Sequence, residues 1–306
     1  MKVLVVGVGS AIARGVAMQL HQQGHEVFGL DPRPWVDAPK GLQVFATDIR
    51  KRAAEDVFRT RTPDCVVHMA TVNALTRGGD ERARINVGGT RAVFEHSVAH
   101  GVKHVIFVGR HTYYGAGADS PLYHTEDEPP HGIGSFPELA DLVAADLFAA
   151  NALWREPALC TTILRMVYTL GPSRQGTLAS FLRGKRVPMV LGFDPLFQFL
   201  EESDAINAIA LAVEKRPRGI FNVAGPNPLP LRTIVEATGR TAVPMPEAIL
   251  SRLMGHFGLP ALPKGAMEHI KYPIVVDGRA WREASGFRHE FDEVEVVKRY
   301  RLRAGG

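Results

Sequence analysis

Two glycines near the start of the chain, Gly7 and Gly9, have the spacing of a turn that binds a phosphate group. An aliphatic run at residues 2–6 precedes them, and an apolar pattern with helical spacing follows. Glycine at such a junction lets the backbone approach a pyrophosphate, whose charge the free N–H groups of the helix start stabilise. By itself the turn is equally compatible with an ordinary glycine turn of an α/β protein. As a phosphate site it would use Gly7, Gly9, Ser10, Ala11 and Ile12.

An acidic residue follows the turn at the distance that a ribose contact requires. The run at residues 24–30 predicts a second strand, which ends in Asp31, about twenty residues beyond the glycine turn. A carboxylate at this position accepts hydrogen bonds from an adenosine ribose, which favours NAD. Arg33 is either a solvated loop charge or a partner for the 2′-phosphate of NADP. The expected cofactor is NAD(P)H, with NAD or use of both forms ranked ahead of strict NADP use.

The remaining pattern is that of a doubly wound parallel sheet. Strand-like runs alternate with helical stretches and lie near residues 2–6, 26–30, 42–46, 65–69, 104–108 and 161–165. We therefore predict an α/β Rossmann fold with a smaller C-terminal substrate-binding lobe. The dinucleotide-binding domain is expected to comprise residues 1–169 and 197–224, and the lobe residues 170–196 and 225–306. Ligands bind outside the carboxyl ends of such strands, so we expect one rim to carry Gly7, Asp31, Asp48, Met69, Arg110 and Met166.

Motifs spread over most of the chain resemble those of extended short-chain dehydrogenases/reductases of the NAD-dependent epimerase/dehydratase type. The matching segments are 47–49, 66–70, 86–90, 164–172, 198–204 and 221–225. In that family the acid matched by Asp48 meets the adenine edge. The strand end matched by Met69 and Ala70 lies beside the pyrophosphate and the nicotinamide ribose. The resemblance implies a cofactor-binding set that also includes Ile49, Val108, Met166 and Val167.

The resemblance fails at the residues that carry the family's chemistry. The catalytic Tyr-x-x-x-Lys pair of the family aligns with Glu138 and Leu142, and its substrate-polarising serine aligns with Arg110. Thr112 is the only nearby hydroxyl that stays in register. The resemblance therefore implies a catalytic set of Arg110, Thr112 and Glu138.

These replacements favour stabilising an oxyanion over transferring a proton. Arg110 can polarise a carbonyl but effectively never releases its proton. Leu142 has neither a charge nor a donor, and Glu138 could carry a proton only if burial raised its pKa well above about 4.3. A salt bridge between Arg110 and Glu138 would instead explain both residues as structural.

The absence of the tyrosine–lysine pair is shared with one group of reductases. The chain resembles actinobacterial polyketide-tailoring ketoreductases that lack this tyrosine and lysine. The resemblance implies NAD(P)H-dependent reduction of a ketone on a polycyclic aromatic, angucyclinone-like polyketide in antibiotic biosynthesis. Holding a ketone against the nicotinamide contributes on the order of several kcal/mol through proximity. The proton would come from water, from a side chain such as Glu138, His111 or Tyr113, or from a phenol of the substrate.

Two other classes of function stay open. Family members that have lost their catalytic residues can bind NAD(P) as sensors that regulate a partner. Sugar-nucleotide epimerisation or dehydration ranks last, because it needs repeated proton transfers that this set of residues is poorly equipped to make.

The composition is that of a globular protein with a small-molecule substrate. Apolar residues make up 45% and charged residues 22% of the 306 positions, and the formal net charge is +4. The basic cluster at residues 298–303 is typical of a solvated helix tail, so no nucleic-acid partner is expected. No metal-ligand spacing is found, so no metal is expected. With no run of roughly 18 apolar residues and no signal-peptide pattern, we expect a cytoplasmic protein without membrane contact.

The C-terminal lobe offers candidates for an apolar, aromatic substrate pocket. Five side chains could line that pocket or could simply pack the core of the lobe, namely Met254, Phe257, Leu259, Leu262 and Met267. By analogy with the family, the helices around residues 86–99 and 138–151 are candidates for a homodimer interface.

Overall fold

The structure, a computed structural model, describes residues 1–72, 78–253 and 265–302. Four of the pocket candidates lie outside these ranges, namely Met254, Phe257, Leu259 and Leu262. The strands of the described residues are β1 (Lys2–Val6), β2 (Glu26–Asp31), β3 (Gln43–Ala46), β4 (Cys65–His68), β5 (His104–Arg110), β6 (Cys160–Met166), β7 (Tyr168–Leu170), β8 (Arg186–Val190), β9 (Leu196–Phe197), β10 (Phe199–Glu201), β11 (Gly219–Val223), β12 (Leu229–Pro230) and β13 (Thr241–Met245).

The α-helices of the same residues are α1 (Ala11–Gln22), α2 (Arg52–Arg61), α3 (Gly79–Ala99), α4 (Gly132–Ser135), α5 (Ala140–Arg155), α6 (Thr177–Phe181), α7 (Glu202–Lys215), α8 (Leu231–Ala237), α9 (Glu247–Leu253), α10 (Ala266–Lys271), α11 (Arg279–Ser285) and α12 (Glu293–Leu302). Two 3-10 helices, His111–Tyr113 and Pro137–Leu139, lie on either side of α4. No helix within the described ranges is long and apolar enough to cross a membrane.

A seven-stranded parallel sheet forms the centre of the fold, in the order β3-β2-β1-β4-β5-β6-β11. Its inner strands are rich in β-branched and aliphatic residues, which suits burial on both faces beneath crossover helices. Helices α1 and α7 pack on one face, and α2, α3 and α5 pack on the other. The predicted α/β Rossmann sheet is therefore confirmed, with a strand at each predicted position.

The carboxyl ends of these strands meet at one edge of the sheet. Strands β1 and β2 pair in parallel with Val6 opposite Leu30, so Asp31 lies beside the turn that follows β1. Strands β5 and β6 pair with Arg110 opposite Met166. The parallel register thus aligns residues that are far apart in the chain.

A smaller lobe has its own core. It is built around three two-stranded sheets, β7 with β10, β8 with β13 and β9 with β12, together with helices that include α6, α8 and α12. Met267 is 8% exposed and belongs to this core, so its packing role is the one that the structure supports. The division of the chain at residues 169, 197 and 224 stays a prediction.

Candidate cofactor site and active-site cleft

The glycine turn packs against the end of strand β4. Gly7 has a φ of +102°, a conformation that side chains with a Cβ atom rarely adopt. A Cβ atom at Gly7 would lie 2.7 Å from the backbone nitrogen of Ala70 and from the carbonyl carbon of Met69. The N–H of Met69 donates to the carbonyl of Val6 at 2.8 Å. Residue 7 must therefore be glycine for the turn to lie this close to Met69 and Ala70.

Helix α1 begins directly after the turn. Ser10 is its N-cap, and the Ser10 Oγ accepts a hydrogen bond from the N–H of Ala13 at 3.3 Å. The first N–H groups of an α-helix have no partner within the helix, so those of Ala11 and Ile12 are available to an anion. The positive end of the helix dipole adds to that attraction. The turn and the helix start therefore fit a pyrophosphate group.

Asp31 places a buried carboxylate beside this turn. Its Oδ2 accepts from the N–H of Gly9 at 2.9 Å, and its Oδ1 accepts from the backbone N–H and the Nε of Arg33 at 2.8 and 3.1 Å. The exposed Arg33 side chain lies over Gly9, since a Cβ atom there would be 2.5 Å from the guanidinium carbon. Arg33 is thus paired with Asp31 at the expected ribose end. The pair fits an adenosine ribose and is also compatible with a 2′-phosphate.

Asp48 lies on the loop after β3 and is held by Arg50. The Nε and Nη2 of Arg50 donate to the two carboxylate oxygens at 2.9 and 2.5 Å. These hydrogen bonds hold the pKa of Asp48 below its ordinary value. The neighbouring Ile49 is buried in the core between the sheet and its helices. Contact of Asp48 and Ile49 with an adenine ring stays a prediction.

A buried polar network, which sequence reasoning missed, holds the segment after β4. The His68 Nε2 donates to the Thr90 hydroxyl at 2.9 Å, and that hydroxyl donates to the carbonyl of Asn86 at 2.7 Å. The Asn86 side chain accepts from the N–H of Val72 at 2.7 Å and donates to its carbonyl at 2.8 Å. Burial lowers the pKa of His68 to about 4, so its ring is neutral near neutral pH. The network keeps the end of β4 next to the glycine turn.

Arg110, the last residue of β5, lines a cleft at this edge of the sheet together with Thr112, Leu139 and Leu142. The Arg110 Nε is buried, and its guanidinium makes no hydrogen bond or ion pair with any residue that the structure describes. Burial lowers the pKa of Arg110, but arginine starts from above about 12 and stays charged at neutral pH. A partly buried cation without a partner in the described part of the chain therefore lines the cleft. Such a charge is costly unless a ligand oxygen approaches it.

Glu138 does not lie with Arg110. The sequence had predicted either that the two residues act together in catalysis or that they form a salt bridge. Its side chain is exposed, it does not line the cleft, and among the described residues it forms no ion pair with Arg110. The reason is local: Glu138 belongs to the 3-10 helix Pro137–Leu139, and α5 begins only at Ala140. Residues 138 and 142 therefore do not share one α-helical face, and Leu139 is buried in place of Glu138. Glu138 is therefore not buried, although burial was the condition for it to transfer a proton.

Arg165 ties the strands beside the cleft to helix α5. Its Nη2 lies 2.8 Å from the Asp146 Oδ1, and its Nη1 donates to the Tyr114 hydroxyl at 3.0 Å. The guanidinium carbon lies 3.5 Å from the ring centre of Tyr113, which lines the cleft. Gly109 leaves room for the pair, because a Cβ atom there would lie 2.8 Å from an Asp146 oxygen. Sequence reasoning missed Asp146, although it lies one helical turn after Leu142, the residue that aligns with the family's lysine.

A second pocket is lined by aromatic side chains next to the smaller lobe. Tyr168 stacks on Phe197 with ring centres 5.7 Å apart and meets the ring of His111 edge-on at 4.4 Å. The His111 Nδ1 donates to the carbonyl of Met166 at 3.1 Å, while Val167 is buried beside it. Sequence reasoning gave Tyr168 no role, although it lies only two residues beyond the carboxyl end of β6. The pocket is lined by Tyr168, Leu196, Phe197, His269, Tyr272 and Ile274.

Most of the cofactor candidates fall into two groups, whereas Asp48 and Ile49 lie apart on the loop after β3. Those at the glycine turn and around it are brought together, namely Gly7, Gly9, Ser10, Ala11, Ile12, Asp31, Arg33, Met69 and Ala70. Those at the ends of β5 and β6 are adjacent to Arg110 along the paired strands, namely Val108, Met166 and Val167. The two groups lie along one edge of the sheet, as the rim prediction required.

Comparison with known proteins agrees with this geometry. The UDP-glucose 4-epimerase of Thermus thermophilus, solved in complex with NAD, is 20% identical, matches 100% of this chain and 99% of its own, and superposes with a TM-score of 0.78. An uncharacterized protein of Mycobacterium tuberculosis (strain ATCC 25618 / H37Rv) is 29% identical over 83% of this chain and 69% of its own length. The 3-diazoavenalumate denitrifying reductase of a Streptomyces species is 27% identical over 84% of this chain and 88% of its own.

The family description that matches residues 3–224 is "NAD dependent epimerase/dehydratase family". NAD is the cofactor in solved structures that share this fold. The glycine turn, the free helix start and the buried Asp31 carboxylate fit that cofactor. The chain therefore belongs to the NAD-dependent epimerase/dehydratase family.

Proposed function

We propose that this protein is an NAD(P)H-dependent reductase of a ketone on a polycyclic aromatic, angucyclinone-like polyketide, acting in antibiotic biosynthesis. The observation that carries the proposal is the guanidinium of Arg110, which lines the cleft without a partner among the described residues, at the position where the family has a serine. A cation there is suited to bind the oxygen of a carbonyl group and to stabilise the negative charge that the oxygen gains during reduction.

The cofactor would be held by the glycine turn, the start of α1 and Asp31. When bound, it supplies a hydride to the substrate. The residues of this chain orient it: the N–H groups of Ala11 and Ile12 bind the pyrophosphate, and Asp31 accepts from the ribose hydroxyls. Arg33 decides how well a 2′-phosphate is tolerated, because its guanidinium is already drawn onto Asp31.

Arg110 would contribute most of the electrostatic stabilisation in the cleft. Removing a single oxyanion donor from an enzyme typically costs about 3–4 kcal/mol in the barrier. The leucines that share the cleft, Leu139 and Leu142, exclude water from it and strengthen the attraction between the guanidinium and the oxygen. Thr112 lines the same cleft and adds a hydroxyl that can donate to the oxygen.

The proton of the reduction needs a source other than the family's tyrosine. Glu138 is exposed and away from the cleft, and Leu142 carries no proton. Water, another side chain of the site, or a phenol on the substrate next to its carbonyl remain as sources. A polycyclic hydroxyaryl ketone would satisfy the last of these, and the aromatic side chains of Tyr168, Phe197 and Tyr272 have the chemistry to pack against its rings.

A second candidate function is reductive removal of dinitrogen from an aryl diazo compound. It is suggested by the relative named 3-diazoavenalumate denitrifying reductase. Replacing the N₂ of an aryl diazonium ion by hydride releases N₂ and consumes no proton, which would suit a site without the tyrosine and lysine. Arg110 counts against it, because a guanidinium repels a diazonium cation unless it binds a carboxylate elsewhere on the substrate.

The test measures the near-ultraviolet absorbance of NADH and NADPH with the purified protein and a panel of polycyclic aromatic ketones, with and without a neighbouring phenol. Aryl diazonium salts form the second arm. Gly9→Trp, whose side chain would displace Arg33 from the turn, is the blocked-cofactor control. Arg110→Ala tests the oxyanion role, and Arg59→Ala, at an exposed position, is its matched control.

We expect ketone turnover that Gly9→Trp abolishes and that Arg110→Ala lowers about 100- to 1,000-fold, the usual effect of losing one oxyanion donor. Full turnover by Arg110→Ala would contradict the assignment of Arg110. Turnover of diazonium salts alone would select the second function. Cofactor binding without turnover of any compound would favour a regulatory sensor, and sugar-nucleotide epimerisation ranks last because the cleft lacks its proton-transfer pair.

A further inference from the structure

We infer that Tyr168 donates the proton to the reduced carbonyl oxygen and that Arg110 is the cation paired with it, so that a tyrosine–arginine pair replaces the family's tyrosine–lysine pair. The inference rests on the proposed reductase function. It assigns a proton donor that the sequence motifs do not mark.

The position of Tyr168 is set by its contacts. Its ring is stacked on Phe197 and held edge-on by His111, and it lines the aromatic pocket. Its hydroxyl makes no hydrogen bond with any residue in the described ranges. A phenol with a fixed ring and a free hydroxyl at a pocket wall is available to a ligand oxygen.

The pairing of β5 and β6 brings the segment of Arg110 and His111 next to the segment that leads to Tyr168, and His111 meets the Tyr168 ring edge-on. Arg110 is opposite Met166, two residues before Tyr168, and His111 reaches from the next position to the carbonyl of Met166. Burial raises the pKa of Tyr168 to about 12, and the charge of Arg110 opposes that rise. Tyr168 is therefore protonated at neutral pH and has a proton to give. The guanidinium stabilises the phenolate that remains.

Two other tyrosines near the cleft are engaged by Arg165. The Tyr114 hydroxyl donates to the Asn222 Oδ1 at 2.8 Å and accepts from Arg165. The Tyr113 ring packs against the Arg165 guanidinium, whose carbon lies 3.5 Å from the ring centre.

The two histidines near Tyr168 are also excluded. The single N–H of neutral His111 is used by the carbonyl of Met166, and burial lowers the pKa of His111 to about 3. Burial likewise lowers the pKa of His269 to about 4, so neither ring is a cationic acid at neutral pH.

The step balances without another reactant. The carbonyl carbon gains the hydride, its C=O π bond becomes a lone pair on oxygen, and that oxygen takes the proton as the Tyr168 O–H bond breaks. The phenolate is left beside Arg110 and recovers a proton from solvent at the pocket. The products are the alcohol and the oxidised cofactor.

The first experiment compares Tyr168→Phe with wild type and with Tyr123→Phe, whose ring is 49% exposed on a loop outside both pockets. Tyr168→Phe keeps the ring contacts and removes only the hydroxyl. We expect kcat for ketones to fall by about 100-fold, a typical loss for a general acid, with the dissociation constants of NADH and of the alcohol product unchanged in calorimetry. The solvent deuterium isotope effect on kcat should differ from that of wild type in Tyr168→Phe and should be retained in Tyr123→Phe. Wild-type kcat in Tyr168→Phe would overturn the inference.

The second experiment needs no turnover. A fluorinated tyrosine is introduced at position 168 in the wild type and in Arg110→Gln, and its phenol is titrated by ¹⁹F NMR. The ionisable groups around it are Arg110, His111, His269 and Tyr272, and both imidazoles are neutral above about pH 5. We expect a higher phenol pKa in Arg110→Gln by about one unit, the lower end of the effect of a nearby opposite charge.

The two experiments distinguish a failure of the Tyr168–Arg110 pairing from a failure of the proposed reductase function. An unchanged phenol pKa in Arg110→Gln would overturn the pairing whatever the activity. If the protein reduces no ketone but the phenol pKa is higher in Arg110→Gln, the proposed function is contradicted and the tyrosine–arginine pairing is supported. Diazonium turnover that Tyr168→Phe leaves intact, together with lost ketone turnover, would support proton donation directly, because the diazonium reaction consumes no proton.

Discussion

The Asp146 Oδ1 lies 2.8 Å from the Arg165 Nη2, and the two side chains are 3% and 1% exposed. Removing one charge of such a pair leaves the other buried without a partner, which typically costs about 3–5 kcal/mol. We expect Asp146→Asn to lower the free energy of unfolding by about that amount in urea denaturation. Arg59→Ala, which breaks an exposed ion pair with Asp56, is the control and should cost less than about 1 kcal/mol. Equal losses in the two variants would show that the buried pair is not a main support of the cleft.

Gly7→Ala should weaken both the fold and cofactor binding. The positive φ and the 2.7 Å approach to Ala70 force the turn to move, and strained backbone of this kind costs about 1–3 kcal/mol. We expect NADH binding in calorimetry to become undetectable while the far-ultraviolet circular dichroism stays native. Gly79→Ala, where a Cβ atom would meet no described residue within 4 Å, is the matched control and should bind like wild type. Normal NADH affinity in Gly7→Ala would argue against a phosphate site at this turn.

Asp31→Asn should shift the choice between the two forms of the cofactor. The carboxylate accepts from ribose hydroxyls and repels a 2′-phosphate, whereas an amide does neither as strongly. We expect the dissociation constant of NADH to rise about 10-fold, or about 1.4 kcal/mol, and that of NADPH to fall or stay level. Arg33→Ala should act in the opposite sense and weaken NADPH more than NADH. A parallel loss of both ligands in both variants would contradict a ribose role for this pair.

Acid should destabilise the protein through its buried histidines. The pKa of His68 is lowered by burial to about 4 in the folded state, against 6.5 for the unperturbed group. Between these values the unfolded chain binds more protons, so the free energy of unfolding falls as the pH drops from about 6.5 towards about 4. At about 1.4 kcal/mol per pKa unit, His68 alone accounts for up to about 3 kcal/mol.

Urea denaturation across this pH range measures the effect. His68→Gln should flatten the pH dependence, whereas His131→Gln, at an exposed position, should leave its slope as in wild type. If the slope of His68→Gln matched that of wild type, protonation of His68 would not be coupled to unfolding.

The site was only partly predictable from the sequence. Asp31 and the glycine turn were found because their roles depend on the distance from a strand end, which local patterns reveal. Glu138 was misplaced because an ungapped alignment assumes one continuous helix, and Pro137 instead begins a 3-10 turn that points Glu138 outwards. Asp146 was missed because nothing in its local sequence shows that Arg165, on a strand far along the chain, meets it.

The sequence by itself determined the parallel Rossmann sheet, the dinucleotide turn and the absence of the tyrosine–lysine pair, because these follow from short-range periodicity, glycine spacing and residue identity. Only the tertiary structure decided that Arg110 has no partner among the described residues, that Glu138 faces solvent and that Arg110 lies opposite Met166, two residues before Tyr168. Those facts depend on which strand ends become neighbours and which polar atoms burial leaves unpaired. Both are settled by packing between distant segments rather than by local sequence.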